Sequence, residues 1–198
     1  MPRKADPRLQ KRILRAALRL WHARGDSGLT LRAVARAAGT TTTTVYKRFR
    51  NKEEIRLALA EHIRETLVRQ ITAASTVEEA YRRYLRYAQR HPREYNLMAG
   101  PLWSQVLSPG RPRPAKVWLE AQLAARFGGI AEHYEPIYYA LFLLNHGTAS
   151  LLTAAPAGPA RKEMEQNCIA LCDLLLKNVH AFRRPAATDL VPEANLLK

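Results

Sequence analysis

Residues 31–49 read LRAVARAAGTTTTTVYKRF, and how this stretch folds decides the architecture of the chain. Its first eight residues put Val34, Ala35 and Ala38 on one helical face. Gly39 then permits a tight turn, and Val45 and Phe49 bring a second helix over 42–49 back onto the first. Two short helices joined by a glycine-containing turn are the geometry of a helix-turn-helix, whose second helix can enter a DNA major groove. An ordinary helical hairpin would use the same apolar positions, but it would not explain the charge around them. Residues 1–56 hold 15 of the 32 Lys and Arg and four of the 17 acids, a net of +11 out of the chain's +15. The remaining residues hold 17 bases and 13 acids, so the excess marks a basic module attached to a nearly balanced body.

Working outward, spacings of three and four recur almost everywhere and no long two-residue alternation appears, which predicts an all-α protein. A helix over 7–24 stops at Gly25, with a turn at Asp26, Ser27 and Gly28. Thr30 caps the helix over 31–38 and Thr41 the helix over 42–49. After a turn at Arg50 and Asn51, a long helix from Lys52 carries Ile55, Leu59, Ile63, Leu67 and Ile71. Thr76 and Glu79 form a capping-box pair before a helix with Val77, Ala80, Tyr81, Tyr84 and Ala88 on one face, ended by His91-Pro92. Pro92 opens a short helix to Met98. Ser108–Pro114 (SPGRPRP) is a loop, 115–127 a helix stopped at Gly128-Gly129, and 135–153 another helix. Past Pro156, Gly158 and Pro159, one helix is expected to carry Met164, Cys168, Leu171, Cys172, Leu175, Val179 and Phe182 on one face. The expected organisation is a three-helix DNA-binding domain over 1–52, a larger helical effector-binding and dimerisation bundle over 53–184, and a C-terminal tail over 185–198.

The 198 residues are 47% hydrophobic and 25% charged, the balance of a globular chain that can bury a core without staples. The longest apolar run, Ile137–Leu144, is too short to span a bilayer. The arginine-rich N-terminus has its apolar positions inside a helix that continues into the next motif, so no targeting segment is expected. Cys168 and Cys172 are too few for a disulfide framework and suit a reduced, cytoplasmic protein. No cofactor or metal is expected, since no histidine or carboxylate stands at ligand spacing on the cysteine face. The chain has no G-x-S-x-G, phosphate-binding glycine loop or H-E-x-x-H.

The run over 13–55, ILRAALRLWHARGDSGLTLRAVARAAGTTTTTVYKRFRNKEEI, resembles the DNA-binding region of the tetracycline-repressor (TetR) family. It matches the family's A-x-x-L-F-x-x-x-G opening loosely. It matches the A-G-x-x-x-x-x-x-Y-x-x-F-x-x-K-E-x-L core closely, with Ala38-Gly39, Tyr46, Phe49, Lys52, Glu53 and Ile55 in register. The resemblance implies a homodimeric, all-helical, ligand-responsive regulator in which Tyr46 and Lys52 contact phosphate. A second segment, YRRYLRYAQRHPREYNLMAG over 81–100, resembles a TetR-type C-terminal domain bearing Y-x-x-Y/F-A-x-x-x-P-x-x-Y-x-L-M. That type carries an HG pair, matched by His146-Gly147, with Phe142 where tryptophan is common.

On these readings the DNA-contacting set is Thr30, Arg32, Thr41, Thr42, Thr43, Thr44, Tyr46, Lys47, Arg48 and Lys52. Thr30 can offer a hydroxyl and a helix N-terminus to phosphate. The threonines offer hydroxyls, or methyls to thymine, but none makes a bidentate base contact. Direct readout is therefore thin, with Lys47 or Arg48, the arm residues Arg3 and Lys4 and DNA shape supplying the rest. The threonines also suit plain turn and cap roles, as Thr40 is taken to do. Candidate effector-pocket residues are Tyr84, Tyr95, Met98, Leu102, Trp103, Trp118, Phe142 and His146, although aromatics at helical spacing also serve as core. The helices over 135–153 and from 159 onward are the family's dimer elements, with Tyr138, Leu141, Phe142, Leu171, Leu175 and Val179 central. The competing functions are an enzyme housed in the helical body and a basic, sequence-indifferent DNA-compacting protein.

Overall fold

A computed structural model describes residues 7–100, 110 and 112–184. Its elements are α1 (Pro7–Arg24), α2 (Leu31–Ala37), α3 (Thr42–Tyr46), α4 (Lys52–Thr72), α5 (Val77–Arg90), α6 (Pro92–Ala99), α7 (Pro114–Phe127), α8 (Glu135–Ala154), α9 (Pro159–Lys177) and α10 (Val179–Phe182). Short 3-10 turns cover Gly25–Gly28 and Ala131–Tyr134. The protein is all-α, an N-terminal helix-turn-helix followed by a larger helical body, with no strand among the described residues. It divides into two compact units, one of residues 1–67 and 90–111 and one of 68–89 and 112–198. The expected tail over 185–198 and residues 108, 109 and 111 of the expected loop lie outside the described residues.

In the first unit, α1 buries Ile13, Ala16, Ala17 and Trp21. Gly28 follows because a Cβ there would lie 2.6 Å from the Arg24 Cβ and 3.2 Å from the Leu20 carbonyl oxygen. The Thr30 hydroxyl accepts from Ala33 N at 3.1 Å and starts α2. Gly39, at φ 59°, makes the left-handed turn that lets Val34, Ala35, Ala38 and Val45 close a small core. The second helix of the motif is shorter than expected, ending at Tyr46 rather than Phe49. Its last turn tightens, with Arg48 N donating to the Val45 carbonyl at 2.9 Å. A reciprocal cap then starts α4: Glu54 N donates to Asn51 Oδ1, and Arg50 N to Glu54 Oε2. Phe49 is still buried. Helix α6 is tied to α1 by Trp21 Nε1 donating to the Arg93 carbonyl at 3.2 Å and by Arg93 Nη1 donating to the His22 carbonyl at 2.7 Å. The buried Glu94 carboxylate receives both His22 (2.6 Å) and His91 (3.2 Å).

In the second unit, Glu79 N donates to the Thr76 hydroxyl and Ser75 N to Glu79 Oε2, the expected box shifted by one donor. Tyr81 and Arg82 of α5 engage Asp173 of α9, and Arg126 of α7 pairs with Glu78 of α5 at 2.6 Å. Gly128 and Gly129, at φ 81° and 78°, end α7. Helix α8 packs on α9 through Leu141, Asn145, Ala149 and Leu152 against Cys168, Cys172 and Leu176. Asn145 Nδ2 donates to the Leu141 carbonyl at 2.8 Å and to Cys172 Sγ at 3.4 Å, while Cys168 Sγ donates to the Leu144 carbonyl at 3.7 Å. The single helix expected to run through Phe182 is instead broken at Asn178, which adopts φ −108°, ψ 27° and donates its side-chain amide to the Leu174 carbonyl. Phe182 is consequently exposed rather than part of the core stripe.

Candidate nucleic-acid interface and effector region

Helix α3 has Val45 turned fully inward, and Thr42, Thr43, Tyr46 and Lys47 exposed on its other side. Tyr46, 57% exposed, is a large aromatic left in water at a position that a free-standing domain would favour burying. Thr41 caps the helix, accepting from Thr44 N at 3.2 Å, and its hydroxyl engages that of Thr44 at 2.8 Å. These two hydroxyls are thus already occupied, whereas Thr42 and Thr43 present theirs to solvent. Thr30 and Arg32 are exposed at the start of α2, and Arg48 is half-buried.

Lys52 opens α4, but its ammonium is already engaged: Nζ donates to Asp26 Oδ2 at 2.6 Å, and Arg56 Nε lies 3.6 Å from Asp26 Oδ1. The Lys52 hydrogen bond holds the Asp26 carboxyl below its ordinary range; desolvation opposes it, and the Lys52 and Arg56 charges add to the lowering. Asp26 is thus the partner of a candidate DNA-contacting residue, at a position that sequence alone suggests only as a turn. The signal that marks it is a lone acid in a basic stretch.

The described candidate effector residues are found in both units. Tyr84, Phe142 and His146 come together in the second unit: Tyr84 Oη lies 3.4 Å from His146 Nδ1, and Phe142 and His146 stack at 6.1 Å. Tyr138 stacks on Phe142 at 5.8 Å, so one face of α8 carries a ladder of three rings four residues apart. Burial pushes His146 down to about 4, leaving its imidazole neutral at pH 7. Trp118 is half-buried on α7 of the same unit. Tyr95 and Met98 are buried in the first unit instead, and Leu102 and Trp103 lie outside the described residues.

Of the residues expected at a dimer contact, Tyr138, Leu141 and Val179 are buried within the single chain and Phe142 is half-buried. Leu171 and Leu175 instead line an open apolar groove of about 700 Å³ together with Leu143, Leu144, Leu174 and Phe182. Leu143 (64%) and Leu174 (55%) are the most exposed of these, and neither stands among the residues expected from sequence. The two thiols face α8, where the Cys172 hydrogen bond draws Cys168 down to about 7 and Cys172 is raised in return. Among the described residues no group of three or more His, Cys, Asp or Glu is placed to hold a metal ion.

A capped helix-turn-helix with a polar outward α3 stands in the basic third of an all-helical chain, the layout of the DNA-binding helix-turn-helix motif. Residues 13–59 match the family model for bacterial regulatory proteins, tetR family. The fold as a whole is similar to that of a TetR transcriptional regulator from Streptomyces coelicolor (TM-score 0.62, 21% identity, covering 88% of this chain and 98% of that one). It is also similar to a TetR from Acinetobacter baumannii AYE (0.64, 18%, covering 91% and 99%) and to a TetR-family regulator from Haemophilus influenzae (0.53, 19%, covering 85% and 98%). No curated protein matches the chain. No described helix is long and apolar enough to cross a membrane.

Proposed function

We propose that the protein is a homodimeric, effector-responsive transcriptional repressor that acts by binding, not catalysis, in the cytoplasm, and reads a pseudo-palindromic operator with α3 in the major groove. The observation that carries this reading is the outward face of α3. Thr42, Thr43, Tyr46 and Lys47 stand in water above a buried Val45, in a segment of net charge +11. Tyr46, Lys52 and Thr30 contact phosphate, while Thr43, Thr44, Lys47 and Arg48 face base edges or the backbone beside them, with Arg32, Thr41 and Thr42 completing the surface. Residues 1–52 read DNA, 53–184 bind the effector and pair the subunits, and 185–198 form a tail.

The groove along α8, α9 and α10 supports the dimer part of the reading. A two-fold contact is self-complementary, and apolar side chains left exposed on two adjacent helices are what such a contact covers. The Tyr84–His146 pair and the ring ladder are the proposed effector contacts, with a neutral imidazole that can accept or donate. The effector lowers DNA affinity only to the extent that it binds the DNA-incompetent state more tightly.

Selection of bound duplexes from a random library at about 150 mM salt tests the reading, because purely electrostatic binding is weakened there. One inverted repeat is expected, with half-sites about one helical turn apart. A featureless pool would overturn sequence-specific regulation in favour of indiscriminate DNA compaction.

A further inference from the structure

Helix α1 contains six Lys and Arg and no acid. Arg8, Arg12, Arg15 and Arg19 recur at intervals of four, three and four residues, with Lys11 beside them, and all five are exposed. On a helix this spacing forms one straight row, opposite the buried Ile13, Ala17 and Trp21. Among the described residues, Lys11, Arg12, Arg15 and Arg19 have no carboxylate within ion-pair distance. Several cations on other long helices do have a carboxylate partner: Arg64 pairs with Glu61, Arg83 with Glu79, Lys116 with Glu120 and Arg126 with Glu78. The row therefore sets like charges against each other at Arg8–Arg12, Lys11–Arg15, Arg12–Arg15 and Arg15–Arg19. Each of these like-charge placements costs helix stability. A surface that opposes its own helix in this way is explained by a polyanion that neutralises it.

We propose that the exposed row on α1 is a second DNA-binding surface, which holds the phosphate backbone independently of base sequence. Its C-terminal end abuts the helix-turn-helix, where Arg19 Nη2 donates to the Ala37 carbonyl at the end of α2 at 3.1 Å. From Arg8 to Arg19 the row rises about 16 Å, the length of about five base-pair steps. It thus extends the contact from the groove-reading helix onto flanking duplex, and the placing of that flank rests on the regulator reading above.

The test measures affinity against salt for the full-length protein on random-sequence duplex DNA, comparing the parent, Arg12→Gln/Arg15→Gln, and Arg161→Gln/Lys162→Gln as an equal-charge control on α9. Each phosphate that the protein no longer neutralises makes the slope of log K against log salt shallower by about 0.9. The slope of the α1 variant is therefore expected to fall by about one to two units and that of the control hardly at all. The α1 variant should melt no lower than the parent, since a repulsion has been removed; this separates weaker phosphate binding from a damaged fold. Equal slopes for the two variants would overturn the proposal. So would an unchanged DNA slope accompanied by weaker binding to phosphatidylserine vesicles, which would reassign the row to a membrane surface. Because the duplex carries no operator, failure to select an inverted repeat would sink the regulator reading and leave this measurement standing.

Discussion

The contact between Asp26 and Lys52 sets a competition at the level of single side chains. In the proposed complex a DNA phosphate takes the Lys52 ammonium from a carboxylate that already holds it at 2.6 Å, so binding would exchange one anion for another. Both groups are partly exposed, and an exposed pair is worth about 0.2–1 kcal/mol, which converts to an expected gain of up to about fivefold in duplex affinity for Asp26→Asn. A gel-shift or anisotropy titration reads this directly, and a fall in affinity would show that Asp26 orients Lys52 instead of competing for it. Tyr46→Phe removes only a hydroxyl and is expected to weaken binding about two- to tenfold on every duplex sequence alike, the range of one hydrogen bond. His146 supplies a pH dependence. Its folded value of about 4 lies below the ordinary 6.5, so the unfolded chain binds the extra proton first. The stabilisation is complete above pH 6.5 and is lost as pH falls from there through about 4. Melting temperatures of His146→Gln and the parent, measured at about pH 7 and about pH 5, should show a smaller drop for the variant.

Among elements, the caps were legible and the interruptions were not. Thr30, Thr41 and Thr76 announce helix starts because a hydroxyl three residues before a free amide is a local signal. The end of α3 at Tyr46 and the break at Asn178 depend on which carbonyl a nearby donor reaches, and no spacing of apolar residues records that choice. Helix α9 shows the difficulty most clearly. It carries two apolar stripes, Cys168–Cys172–Leu176 facing α8 and Leu171–Leu174–Leu175 facing the groove, and periodicity alone cannot say which is inward. The helix-turn-helix was legible because its turn, caps and charge are all contiguous. Among the effector candidates, apolar spacing marks the aromatics but does not record that Tyr84 and His146, distant in sequence, come within 3.4 Å. The turn between α1 and α2 yields its own expectation. Gly28→Ala drives a Cβ against the root of Arg24 and the Leu20 carbonyl, neither of which can swing away, and should destabilise the protein by about 1–3 kcal/mol in urea unfolding.

For the molecule as a whole, the groove makes oligomeric state the property most open to a single change. Leu171→Glu/Leu174→Glu places two carboxylates on side chains that are already half in water, so the subunit should keep its helix content by circular dichroism. Light scattering should then report a monomer at concentrations where the parent is a dimer. A dimer that survives the substitution would move the subunit contact to another face. With monomers, operator affinity is expected to collapse towards that for random duplex, because two half-sites no longer share one ligand.

The two thiols buried between α8 and α9 also serve as a clock. An alkylating reagent meets Cys168 and Cys172 only when those helices part, so the half-time of labelling under native conditions times that opening without any introduced probe. Whatever closes the outer face of α9, a second subunit included, would slow this clock, and whatever pries α8 away would run it faster.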